Sequence, residues 1–80
     1  MPLTMYGTPT CVDCYRSKRF LELHNVAYDF INIATDPDAV TKVEALNNGL
    51  RTIPTIIFDD GSVLAEPTDT ELAQKLGIAL

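Results

Sequence analysis

The chain is short of the residues that most readily hold metals or nucleic acids. It has one histidine and two cysteines, and only six lysines and arginines against eleven aspartates and glutamates. A structural zinc site takes four ligands, and Cys11, Cys14 and His24 make three, so no metal is expected. A net charge of −5 removes the cationic contacts on which phosphate binding rests, so no nucleic-acid partner is expected either. Glycine and proline are few, and there is no low-complexity tract or internal repeat, which excludes a linker or a disordered tail as the main body. Long apolar runs are also lacking, and the first six residues have neither the basic region nor the apolar core of a secretory signal. The expected setting is the cytoplasm, away from membranes, where a cysteine pair is more often catalytic or redox-sensing than structural.

What is present is a globular composition, 46% hydrophobic and 21% charged, in a length that fits one domain over residues 1–80. A chain this short buries roughly 60% of its unfolded surface, so its core must be compact. With no evident exposed apolar seam, a monomer is expected.

The chemistry-bearing stretch is Thr8-Pro9-Thr10-Cys11-Val12-Asp13-Cys14. Two cysteines two residues apart can meet as a disulfide within one helical turn, and a helix start offers unpaired N–H groups that favour a thiolate. A purely structural disulfide would gain little here, because the loop it closes is minimal. The layout is that of a redox couple.

Residues from Leu3 to Tyr6 alternate apolar and polar and end at Gly7, the pattern of a short strand. Thr10 stands where a helix cap would, with Asp13 three residues on as the capping-box acid, which puts Cys11 at or beside the first helical position. That helix is expected to run to about His24, with Cys14, Ser17 and Leu21 on one side and Arg16, Arg19 and Glu22 mostly on the other. His24 reads as a partner for the helix's C-terminal dipole or as a surface residue. Residues 27–33 suit a second strand. Asp36-Pro37 opens a helix and Asn48-Gly49 closes it, around the stripe Ala39, Val43 and Leu46. A strand, a helix and a strand joined in this way prefer a parallel pair. Residues 53–58, the turn Asp59-Asp60-Gly61-Ser62 and Val63-Leu64-Ala65 form a hairpin. Thr68 and Glu71 have capping-box spacing and open a last helix ending near Gly77. The order β-α-β-α-β-β-α gives an α/β fold, a four-stranded mixed sheet flanked by three helices. Pro54 cannot donate into a ladder, so it belongs at the start of its strand and leaves the polar groups of Ile53 free to pair elsewhere.

With this order, the cysteine motif and Thr52-Ile53-Pro54 before the third strand, the chain resembles glutaredoxins, of the thioredoxin-like fold, along nearly its whole length. Arg51-Thr52-Ile53-Pro54-Thr55, Phe58-Asp59-Asp60-Gly61-Ser62 and Pro67 look most like the mycoredoxin branch. The resemblance implies a cis Pro54 beside the active site, with the backbone of Ile53 pairing with a bound thiol or peptide like an added strand. It departs from the family at two places. Asp13 stands where an aromatic residue is usual, either stabilising the first turn or opposing the helix start in its effect on the sulfurs. The approach to the last helix is Ala65-Glu66-Pro67-Thr68-Asp69 rather than glycine-rich, and Pro67 removes a donor there.

The implied activity is that of a thiol–disulfide oxidoreductase acting on S-thiolated proteins or protein disulfides. Cys11, at the helix start, is the expected nucleophile, and Cys14, one turn in, the resolving thiol; the two would form the redox-active disulfide. Thr8, Thr52, Ile53 and Pro54 would line the groove, with Arg51, Thr68 and Asp69 as further candidates for gripping the small thiol. Arg16 is a carboxylate-binding candidate or a solvated surface residue, and Tyr15 a packing residue at the groove edge. No cofactor is expected to be bound. The electron source is a low-molecular-weight thiol, mycothiol first, with bacillithiol and glutathione as alternatives. A second reading is an electron donor to ribonucleotide reductase, itself reduced by thioredoxin reductase. Two further classes are a non-enzymatic iron–sulfur carrier and an interaction module indifferent to its cysteines.

Overall fold

Every second residue of the first strand faces the same layer, and that alternation organises the core. The computed structural model describes residues 3–80; Met1 and Pro2, included in the expected domain, lie outside the described residues. Strand β1 (Leu3–Gly7) is followed by helix α1 (Val12–Leu23), strand β2 (Tyr28–Asn32), a 3-10 turn at Ile33–Thr35, helix α2 (Pro37–Leu46), strands β3 (Thr55–Ile57) and β4 (Val63–Ala65), and helix α3 (Asp69–Leu76). The sheet order is β2-β1-β3-β4. Leu3 and Met5 of β1 join Phe20, Leu21, Ile56, Phe58, Leu72 and Ala73 in a core under α1 and α3. Tyr6 points the other way, into a smaller cluster with Ile33, Ala39 and Val43 beneath α2.

The parallel pairing expected of a strand–helix–strand unit holds for β1 and β2, with Leu3 opposite Tyr28 and Gly7 opposite Asn32. After α2 the chain instead returns antiparallel beside β1, with Tyr6 opposite Thr55, and β4 adds antiparallel beside β3. The register brings the end of β1, the start of β3 and the end of β4 to one end of the sheet. The cysteine loop, Pro54 and the approach to α3 therefore meet there.

Two strands are shorter than the sequence suggests, β2 at Tyr28–Asn32 against 27–33 and β3 at Thr55–Ile57 against 53–58. Strand β3 begins at Thr55, after a cis Ile53–Pro54 peptide, and the Thr55 hydroxyl turns back to donate to the Thr52 carbonyl at 2.6 Å. Helix α2 closes at Asn48-Gly49 as expected: both residues are left-handed (φ 55° and 89°) and the Gly49 N–H donates to the Glu44 carbonyl at 2.7 Å, while the Asn47 side chain donates to the Val43 carbonyl at 2.8 Å and to the Thr55 hydroxyl at 3.1 Å. The expected caps hold elsewhere: Asp36 accepts from the Ala39 N–H at 3.2 Å, and Thr68 and Glu71 form a reciprocal capping box. In the hairpin, Asp60 receives the Ser62 N–H and hydroxyl and pairs with Lys75 of α3 at 2.6 Å. Lys75 and Ser62 hold its carboxyl well below the usual carboxylate range. No described helix is long and apolar enough to cross a membrane.

Candidate active site

Between β1 and α1 the chain makes one turn, closed by the Cys11 N–H donating to the Thr8 carbonyl at 3.3 Å. Cys11 is then extended (φ −82°, ψ 119°) and its carbonyl accepts the first helical bond, from Tyr15 N at 3.0 Å. These are the features of an N-cap, and the side chain completes it: the Cys11 Sγ accepts the Cys14 N–H at 3.2 Å. The cap is therefore Cys11 and not Thr10, which stays exposed in the turn. The capping-box role expected of Asp13 is lost with it, and the Asp13 carboxylate pairs with Arg16 at 3.3 Å. Capping with sulfur sets Cys11 at the positive end of α1, half-buried and reachable.

Cys14 differs in every respect but chemistry. It is fully buried, and burial, followed by its hydrogen bond with Cys11, pushes the thiol up to about 12, while the backbone at Thr8 acts in the opposite sense. Gly7 makes the room for it, since a Cβ there would stand 2.5 Å from the Cys14 Sγ and 3.3 Å from Phe30. Both thiols are free. Native protein at about pH 7.5 is accordingly expected to take one carboxamidomethyl group, on Cys11, in the time that unfolded protein takes two. Fragment-ion mass spectrometry checks this, and prior labelling of Cys14 would contradict it.

At the same end of the sheet lies the cis Ile53–Pro54 turn. Pro54 is buried, and its carbonyl accepts the Glu66 N–H at 2.8 Å, which ties β4's exit to the turn. Among the described residues, neither the N–H nor the carbonyl of Ile53 has a partner, as an added strand would require. Thr52 is held through its carbonyl by Thr55, which is fully buried and in turn bonded to Asn47. Thr55 and Gly7 are the supporting residues that motif reasoning passed over. Their signals were a hydroxyl immediately after the proline and a glycine at the strand end facing the motif.

The remaining candidates fall further out. Arg51 is exposed and paired with Glu44 at 3.4 Å, beside a cavity lined by α2 and the 3-10 turn. Thr68 spends its hydroxyl on the Glu71 N–H (3.1 Å) and its own N–H on the Glu71 carboxylate (2.9 Å). Asp69 has a buried Oδ1 with no partner among the described residues. His24 caps the end of α1 through its backbone N–H, and its ring lies tilted by 45° against Phe20 with centroids 4.5 Å apart. Tyr15 corrects the expectation of a packed residue: helical spacing turns it away from the sheet, and it is 63% exposed. Among the described residues, no cluster of three or more histidine, cysteine or acidic side chains is arranged for a metal ion.

The glutaredoxin family model matches residues 3–63. A Mycobacterium tuberculosis protein named as a glutaredoxin is 40% identical over 74 residues, covering 92% of this chain and 88% of that one. Mycoredoxin 1 of Corynebacterium glutamicum is 30% identical over 74 residues, covering 92% and 91%. The solved structure of the glutaredoxin-like NrdH-redoxin from Escherichia coli matches with a TM-score of 0.81 at 26% identity over the whole of both chains. With a cysteine pair at the start of α1 and a cis-proline turn at the same end of the sheet, the chain belongs to the glutaredoxin family of thiol–disulfide oxidoreductases.

Proposed function

We propose that the protein reduces mixed disulfides between proteins and a low-molecular-weight thiol, with Cys11 as nucleophile and Cys14 as resolving thiol. The observation that carries this is the inequality of the two sulfurs: Cys11 is half-buried at a helix N-cap and Cys14 fully buried with a raised pKa. The N–H that Cys11 accepts is a donor already in place for negative charge on that sulfur.

In the first step the Cys11 thiolate attacks the small-thiol sulfur. A Cys11–small-thiol disulfide forms, and the protein's sulfur leaves as a thiolate that takes a proton from water. A second small-thiol thiolate then attacks the bound small-thiol sulfur, yields the oxidised small-thiol dimer and restores the Cys11 thiolate. In the other discharge, Cys14 loses its proton and attacks the Cys11 sulfur. The Cys11–Cys14 disulfide closes, the small thiol leaves, and two electrons from outside reopen the bond. Thr8, Thr52, Ile53 and Pro54 line the groove, and the unpaired backbone of Ile53 takes the substrate chain. Asp69, with its unpartnered Oδ1, is the further candidate for holding the small thiol, and Arg51 could join it only by leaving Glu44. The Thr68 N–H, engaged by Glu71, speaks against a carboxylate docking at α3 and so against glutathione. The likeness to mycoredoxin 1 supports mycothiol as co-substrate, with bacillithiol next.

The second reading, a donor to ribonucleotide reductase fed by thioredoxin reductase, is favoured by the likeness to NrdH-redoxin, whose activity profile is thioredoxin-like. The deciding experiment follows turnover of a thiolated peptide with mycothiol, bacillithiol, glutathione or thioredoxin reductase as the only electron source. Turnover in the mycothiol arm is expected, with or without turnover in the reductase arm. Turnover with thioredoxin reductase alone would replace the first reading by the second, and none in any arm would remove both.

A further inference from the structure

Helix α1 turns Cys14, Ser17, Phe20 and Leu21 inward. Its outer side carries Val12, Tyr15 and Leu23, exposed by 79%, 63% and 66%, which is three of the six exposed large apolar side chains among the described residues. Arg16 and Arg19 lie between them, and at 3.6 residues per turn all five fall in a sector of about 100°. The face starts at Val12, next to the Cys11 sulfur, and runs roughly 16 Å along the helix. Nothing in the fold covers it.

Its charge is equally uneven. Helix α1 holds three cations and two carboxylates, whereas the rest of the chain holds three cations and nine carboxylates. Both α1 carboxylates are engaged, Asp13 with Arg16 and Glu22 with the Tyr28 hydroxyl. Lys18 stands 4.4 Å over the Phe30 ring, and Arg19 has no anionic partner among the described residues. Tyr15, Lys18, Arg19 and Glu22 surround a shallow cavity whose cations suit a carboxylate from outside. An apolar strip flanked by an unpaired arginine, contiguous with the reactive sulfur, is a surface built for a second molecule.

We infer that the outer face of α1 docks protein substrates whose reactive disulfide is bordered by carboxylate and apolar side chains. This rests on the oxidoreductase reading above and adds to it the kind of client selected. A transient redox encounter needs only a small interface, and one helix face together with the groove is of that scale. Arg19 steers and seats the partner's carboxylate; it takes no part in sulfur exchange.

The test uses the reduced full chain in single-turnover reactions with three probes. Two are twelve-residue peptides, each with one cysteine capped by 2-mercaptoethanol, flanked by aspartate and leucine in one and by lysine and leucine in the other. The third is bis(2-hydroxyethyl) disulfide. Arg19→Glu is expected to lower the acidic-to-basic ratio of rate constants roughly tenfold and leave the small disulfide unchanged, while Arg19→Lys keeps the wild-type ratio. Raising salt should slow the wild-type reaction with the acidic peptide, which needs no variant. A ratio that moves less than twofold in Arg19→Glu, with the small disulfide still reduced, would overturn the docking face and leave the oxidoreductase reading intact. Failure of the wild type to reduce any probe would instead remove that reading. A dimer that Arg19→Glu dissociates without changing the ratio would assign the face to a second copy and overturn the inference.

Discussion

Serine in place of Cys11 is expected to lower turnover of a thiolated peptide by roughly three orders of magnitude or more, the scale on which loss of a covalent nucleophile is felt. Cys14→Ser is expected to keep most of the turnover driven by a small thiol and to lose all turnover driven by a reductase that must meet an internal disulfide. The asymmetry follows from position. Cys11 caps α1, is half-buried and accepts an N–H at 3.2 Å, whereas Cys14 has no exposed surface and a thiol raised to about 12. At neutral pH Cys14 holds its proton, so it attacks only after a disulfide has formed next to it on Cys11. Steady-state kinetics of the two variants under both electron sources checks the pattern. Loss of small-thiol turnover in Cys14→Ser, with activity retained in Cys11→Ser, would reverse the assignment. Serine at position 11 also retains an N-cap, so loss of activity there cannot be laid to an uncapped helix.

The cysteine pair was legible because its signal is local: two like residues at helical spacing between a strand pattern and a helix pattern. The caps Asp36 and Thr68 were legible for the same reason. Where reading failed, the deciding partner was distant in sequence or chemically unexpected. Thr10 is the better cap by side-chain type, but the turn closed by Thr8 puts Cys11 at the helix boundary, and sulfur does what a hydroxyl would have done. Nothing local to Asn47 announces that its amide reaches the Thr55 hydroxyl, eight residues on, and so ties the end of α2 to the start of β3. The antiparallel return of β3 depends on β1 offering a free edge, which periodicity does not encode. Arg51, grouped with the site by its nearness to Pro54 in sequence, is paired with Glu44 of α2.

Gly7 is where fold and site depend on a single missing atom, and Gly7→Ala is expected to destabilise the protein by about 1–3 kcal/mol, the usual cost of overpacking a core. For a domain of this size that lowers Tm by roughly 5–20 °C. The backbone at Gly7 is not left-handed, unlike that at Gly49, Gly61 and Gly77, so conformational freedom is not what the glycine supplies. What it supplies is space. An alanine Cβ would sit 2.5 Å from the Cys14 Sγ, 3.3 Å from its Cβ and 3.3 Å from the Phe30 ring. Position 7 is held in register opposite Asn32 by the β1–β2 ladder, so the strand cannot retreat and the cysteine side chain must move. A displaced Cys14 would slow closure of the internal disulfide more than attack by Cys11, so reductase-driven turnover should fall further than small-thiol turnover. The cause is isolated by a double-mutant cycle on Tm. In a Cys14→Ala background the sulfur is gone, and Gly7→Ala should cost clearly less than in the wild type. Equal costs in the two backgrounds would shift the conflict from the thiol to Phe30 and sever the proposed link between the strand end and the resolving cysteine.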